Sequence, residues 1–133
     1  MDINYDKKRK KMNWLLFIFI IIMLYFIIFT STDSIVSNVE NIMLGNVDST
    51  ITKNSPLERY NIVGRFPNAK VEANITRLFV AHNFFDGYMW VIYSYQTVEN
   101  DSDIKPATNN VISRWKIHRE DGKWQVVEIQ EKP

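Results

Sequence analysis

From Trp14 to Thr30 the chain reads WLLFIFIIIMLYFIIFT, without a charge, a glycine or a proline. Taken from Met12 to Thr32, the block has about 21 residues, against the roughly 20 that a helix needs to cross about 30 Å of hydrocarbon. Lys7, Lys8, Arg9, Lys10 and Lys11 stand directly before it, whereas only the acidic Asp33 follows closely. Basic residues mark the cytoplasmic side of a span, so the pattern predicts a single pass with the N-terminus in the cytoplasm and residues 33–133 outside. Trp14 suits the membrane interface. A cleaved signal peptide is the competing reading, but its apolar region is usually about 7–15 residues long and ends in a small-x-small site. Here the run is longer and ends in Ile28-Phe29-Thr30-Ser31-Thr32, which favours an uncleaved anchor in the cell membrane. The five basic residues act as a topology signal and touch anionic lipid at about 1 kcal/mol each. A partner-binding tail is the second reading of the same residues.

The remainder leaves room for one domain. There are 133 residues and no cysteine, which excludes a disulfide scaffold and a thiolate metal site. The chain carries 16 basic and 15 acidic residues. Residues 1–11 hold five of the basic and two of the acidic ones, leaving 11 and 13, a net of −2, for everything beyond. Such a remainder has no electrostatic footprint for nucleic acid. The abundance of Ile, Asn and Lys suggests a bacterial source. For that reason no weight attaches to the Asn74-Ile75-Thr76 glycosylation triplet.

Past the span, Ile35, Val39, Ile42, Met43 and Val47 recur at spacings of three and four, which predicts a helix over 34–51. It is either capped by Asp33 or Ser34 or continuous with the membrane helix as a stalk. Ser55-Pro56-Leu57-Glu58 matches a capping box and opens a second, short helix whose Leu57, Tyr60 and Ile62 or Val63 face the core. Gly64 stands where a C-terminal cap is expected. After Lys70 the pattern is that of strands. Val71, Ala73 and Ile75 alternate with polar residues, the phase slips near Arg77 as in a bulge, and Asp86-Gly87 signals a tight hairpin. That turn would pair Phe85 with Tyr88, Asn83 with Trp90 and Ala81 with Ile92. Residues 100–110 form a polar loop. A second Asp-Gly turn at Asp121-Gly122 would set Ile117 opposite Val126 and Trp115 opposite Glu128. The reading is thus a basic tail (1–11), an anchor (12–32), a stalk with a short helix (33–69) and a β-meander (70–133). The fold class is α+β, with one or two helices on a curved four-stranded antiparallel sheet.

The stretch Ser113-Arg114-Trp115-Lys116-Ile117-His118-Arg119-Glu120-Asp121-Gly122-Lys123-Trp124-Gln125-Val126-Val127-Glu128-Ile129 resembles the last hairpin of many bacterial members of the nuclear-transport-factor-two-like superfamily. In these, a strand enters DGKW and leaves through alternating Val and Ile. The order of helices before aromatic-rich strands is similar as well. The resemblance covers residues 34–133 and implies a cone-shaped α+β fold. Membrane-anchored relatives include assembly components of conjugation and secretion machinery. The resemblance carries over no catalytic residue, and the family's usual three helices exceed what this chain offers.

His82 and His118 fall in different hairpins, without the three or four converging ligands that zinc needs, so no metal and no cofactor is expected. Asp86 and Asp121 are explained by their turns. No nucleophile elbow or glycine-rich loop is present. What remains is an aromatic set: Phe79, Phe84, Phe85, Tyr88, Trp90, Tyr93, Tyr95, Trp115 and Trp124. These residues either fill the core beneath the helices or line a face, with Trp90, Tyr93, Tyr95 and Trp115 as candidates for a pocket wall or an interface. The expectation is a non-enzymatic assembly module of the cell envelope. It would be held to lipid through 12–32 and would dock to an envelope protein or to itself. The alternative is a ligand-binding or enzymatic cone pocket.

Overall fold

The computed structural model describes residues 2–48, 50, 52–99 and 103–131. Helix α1, Asp2–Thr30, runs unbroken through the basic cluster and the apolar block, and its surface is exposed up to Ile27. It is long and apolar enough to cross a membrane. The chain turns at Ser31-Thr32, where the Thr30, Ser31 and Thr32 hydroxyls bond back to carbonyls of the last helical turns. Helix α2, Asp33–Leu44, then starts afresh, so anchor and stalk are two helices rather than one rod. Its stripe Ile35, Val39, Ile42 and Met43 is buried. Gly45 ends it in the left-handed conformation (φ 76°), and its N–H returns to the carbonyls of Asn41 and Ile42. The helix therefore stops seven residues before the expected Ile51, which itself lies outside the described residues. A left-handed cap closes a helix more firmly than a fading apolar stripe can prolong it.

The capping-box segment forms a 3₁₀ helix, Pro56–Tyr60, in which Ser55 Oγ accepts from Leu57 N–H. One short helical turn follows, α3, Ile62–Arg65, capped by the Asn61 side chain through Gly64 N–H. Gly64 is thus inside a helix and not its C-cap. A Cβ there would lie 2.5 Å from the Asn61 amide.

Strands β1 (Lys70–His82), β2 (Asp86–Glu99), β3 (Asp103–Glu120) and β4 (Lys123–Glu131) form one antiparallel sheet in the order β1-β2-β3-β4. The bulge near Arg77 is present, between Arg77 and Phe79. The first hairpin differs from expectation. Ala81 pairs with Tyr88 instead of Ile92, and Phe79, instead of Asn83, pairs with Trp90. The turn is Asn83-Phe84-Phe85-Asp86, closed by Asn83 N–H to Asp86 O at 3.0 Å. Asn83 Oδ1 accepts from the N–H groups of Phe85 and Asp86, and Phe84 takes φ 71°. An Asn able to bond its own turn outcompetes the Asp-Gly pair that follows it.

The second hairpin does turn at Asp121 (φ 50°) and Gly122 (φ 75°), with Ile117 opposite Val126 and His118 opposite Gln125. Trp115, however, meets Ile129 rather than Glu128, because a shift between Lys116 and Ile117 adds a residue to β4. Residues 103–110 belong to β3 and are not loop, whereas 100–102 lie outside the described residues. Pro106, which has no N–H for a ladder, falls at the register shift between Gln96 and Thr97.

One sheet face carries Ile75, Val80, Met89, Val91, Tyr93, Trp115, Ile117 and Val126 into the core, against α2, Tyr60 and Ile62. The other face carries Phe79, Tyr88, Trp90, Ile92 and Ile112.

Candidate functional site

Strand alternation divides the four aromatic candidates. Tyr93 and Trp115 are buried on the helix-covered face, and Tyr95 lies half-buried beside them. Trp90 is an even number of residues from neither Tyr93 nor Tyr95, so it points to the opposite face. A wall built of Trp90, Trp115 and Tyr95 together is therefore corrected.

On the covered face, burial forces polar tips to pair. Trp115 Nε1 donates to the Tyr60 hydroxyl at 2.9 Å, in the buried interior. That hydroxyl lies 3.2 Å from Glu131 Oε1 and 3.4 Å from Ser113 Oγ, and Tyr93 donates to the same Glu131 oxygen at 3.0 Å. Arg59 closes the group, its Nη1 3.3 Å from Glu131 Oε2. Burial pushes the Tyr60 hydroxyl up from 10.0 to about 12, and Tyr93 is raised for the same reason and by the Glu131 charge. At this end a cleft of about 230 Å³ opens, lined by Arg59, Tyr60, Arg65, Tyr93, Tyr95, Thr108 and Glu131. That is below the few hundred Å³ of a typical small-molecule site. Both tyrosine hydroxyls stay protonated at neutral pH and are already engaged, so neither is a ready base. Sequence reasoning placed Tyr60 in the core but missed Glu131, Arg59 and Arg65. The signal for Glu131 was its even spacing from Ile129, which faces the same side.

The opposite face is built differently. Phe79 and Trp90 rings lie 5.5 Å apart, Tyr88 and Trp90 6.2 Å, and the Arg114 guanidinium sits 5.1 Å from the Tyr88 ring centroid. Ile112, exposed to 58%, pairs with Ile92 across β2 and β3. Trp90, Ile112, Arg114 and Gln130 border a shallow depression of about 770 Å³ that also reaches Val111 and Glu131 of the covered face. Farther along the same face, Glu72, Asn74, Thr76, Ser94 and Gln96 make it polar.

A third cluster ties the sheet to α1. Arg77 lies over the Phe29 ring at 3.6 Å, donates to Thr32 Oγ1 at 2.9 Å and pairs with Asp33. His82 Nδ1 accepts from Phe84 N–H at 3.0 Å, which leaves its proton on Nε2, facing Ile28 O at 3.0 Å and Ser31 Oγ at 2.9 Å. Burial lowers its pKa, and the Arg119 charge adds to this, against the raising effect of the Ile28 carbonyl. His118 Nδ1 lies 2.6 Å from Asp86 Oδ1. Among the described residues no three His, Asp or Glu side chains converge on a point.

Compared with protein-family models, curated proteins and solved structures, the chain matches none of them.

Proposed function

We propose that this chain is a single-pass, N-in membrane protein whose outer domain is a docking module of the cell envelope, of the kind found in assembly machinery. The resemblance of the Ser113–Ile129 hairpin to a superfamily with membrane-anchored assembly components supports this reading. The observation that carries this reading is the sheet face turned away from α2. An antiparallel sheet with one solvated side ordinarily alternates apolar with polar residues, yet β2 presents Tyr88, Trp90 and Ile92 on the side away from α2, where α1 reaches Phe79 through Tyr25 and Ile112 and Arg114 lie next to them. Aromatic residues and arginine dominate the anchors of protein interfaces. On the covered face the aromatic side chains and Met43 pack in the core, and a cleft of about 760 Å³ lies between Ile35 and Asn38 of α2 and Trp124 and Val126 of β4.

Chemical crosslinking of the full-length protein in cells, followed by mass spectrometry, tests the proposal. One defined envelope protein, or a second copy, should be captured by the native chain. It should be lost with Ile112→Glu, a change at an exposed position that leaves the core untouched. Capture of nothing, with the purified protein monomeric, overturns the docking reading and returns attention to the Arg59–Glu131 cleft.

A further inference from the structure

We infer that the tip of the first hairpin, residues 78–85, is itself a membrane-contacting surface that sits in the outer lipid interface beside the end of α1. This rests on the reading of α1 as a membrane anchor and goes on to place the outer domain against the bilayer.

The argument begins with length. From Lys11 to Thr30 the helix rises about 28 Å at 1.5 Å per residue, which only just matches the roughly 30 Å of hydrocarbon. The span therefore needs its last turns within the bilayer. Those same turns already touch the domain. Tyr25 stacks on Phe79 with ring centroids 5.9 Å apart, Phe29 lies under Arg77, and the Ile28 carbonyl faces His82. Tyr25 is about 7 Å below Thr30 along the axis, so Phe79 lies at that depth too. Amphipathic elements lying in a membrane interface bury their apolar side by about 5–10 Å, and the hairpin falls in that layer.

The composition of the tip agrees. Leu78 is 50% exposed, Phe79 47%, Phe84 40% and Phe85 67%. Between residues 78 and 88 there is no lysine, arginine or glutamate. The one acid, Asp86, lies 2.6 Å from His118 Nδ1 in a hydrogen bond. Phe84 holds a positive φ, uncommon for a bulky residue, and the conformation is kept by acceptors from His82 and Asn83. A costly backbone conformation that presents two phenylalanines outward points to a use for their exposure. At the same end of the sheet the neighbouring β3–β4 turn carries Arg119, Glu120, Asp121 and Lys123, with Arg119 N–H donating to Phe85 O at 2.7 Å, a charge pattern that suits the headgroup layer and not the acyl chains.

The test uses the full-length protein, which lacks cysteine, carrying one introduced cysteine at a time: Phe85→Cys, Asn74→Cys or Phe19→Cys. Each is labelled with an environment-sensitive fluorophore and reconstituted in phosphatidylcholine vesicles with or without a spin-labelled lipid as quencher, shallow for positions 85 and 74 and at the bilayer centre for position 19. The label at 19 reports the anchor alone. With 19 quenched, the proposal predicts several-fold stronger lipid quenching at 85 than at 74, and emission at 85 shifted to the blue. Quenching at 85 no stronger than at 74 overturns it. Shielding at 85 from both lipid quencher and aqueous iodide also overturns it, because a second protein copy then covers the tip. Loss of quenching at 19 instead refutes the anchor reading, and the seat with it.

Discussion

The hydroxyl of Tyr60 is the acceptor for the only polar hydrogen of Trp115, a residue with no exposed surface. Tyr60→Phe keeps the ring but orphans that indole N–H in the core, a loss of about 1–3 kcal/mol. A lower urea midpoint of the detergent-solubilised full chain would show it. Trp115→Phe in the same background should cost less than in the native chain, because the two residues share one bond. The hydroxyl also gives the fold an alkaline limit. Its pKa is raised from 10.0 to about 12 in the folded chain, so its stabilising contribution is complete below about pH 10 and is lost as pH rises towards 12. The loss amounts to about 2–3 kcal/mol at 1.36 kcal/mol per unit. Urea midpoints measured across that interval should fall, and fall less in Tyr60→Phe. That Tyr93 and Trp115 would be buried was open in the sequence, since large aromatic residues in alternating strands serve a core as readily as a surface, whereas the helix position of Tyr60 already pointed it to the core. The side of the sheet on which Trp90 lies was legible from strand parity. The convergence of Glu131 and Arg59 was not, because it depends on bringing the last strand beside a helix more than seventy residues earlier.

Among the elements, the first hairpin shows why register is harder to read than strand existence. The bulge at Arg77 and the Asp121-Gly122 turn are local events, and both were readable. In the first hairpin two adjacent turn signals competed, and Asn83 prevailed through two backbone bonds. Gly87 matters for a different reason from a turn. A Cβ there would lie 2.3 Å from the Ala81 carbonyl, so Gly87→Ala should destabilise the chain by about 1–3 kcal/mol through backbone displacement, the cost typical of forced overpacking. The thermal midpoint would report this, and an unchanged value would mean that the strands separate at little cost. The join between α1 and the sheet has its own pH response. His82 is neutral, with Nδ1 accepting from Phe84 N–H, so protonation removes that acceptor. Because its pKa lies below 6.5 in the folded chain, the neutral form's contribution is present above 6.5 and disappears as pH falls through the lowered value. The groups around it are the Ile28 carbonyl, Ser31, Trp124 and the Arg119 cation. Protection factors at residues 82–86, which are exchange rates corrected for the intrinsic pH dependence, should therefore fall on acidification, and should lose most of that pH dependence in His82→Gln.

For the molecule as a whole, a long apolar helix, a turn at Ser31-Thr32 and an α+β domain follow one another without a linker. Arg77 fastens the turn by bridging Phe29, Thr32 and Asp33, although its own Nε is buried without a partner. The apolar block alone made the first helix legible. The close seating of the domain on its end was not legible, because it depends on contacts between residues more than forty positions apart. With α2 on one face and aromatic residues left over on the other, the proposed docking role has two consequences: the domain lies outside the cytoplasm, and the face around Ile112 is covered in the cell. Single cysteines at Asn74 and Ile112, reacted in intact cells and after purification with a membrane-impermeant maleimide, test both. The account predicts that position 74 reacts in both settings, whereas position 112 reacts fully only in the purified protein. Equal reaction at 112 and 74 in intact cells would contradict the docking claim, and no reaction at 74 until the cells are permeabilised would contradict the topology.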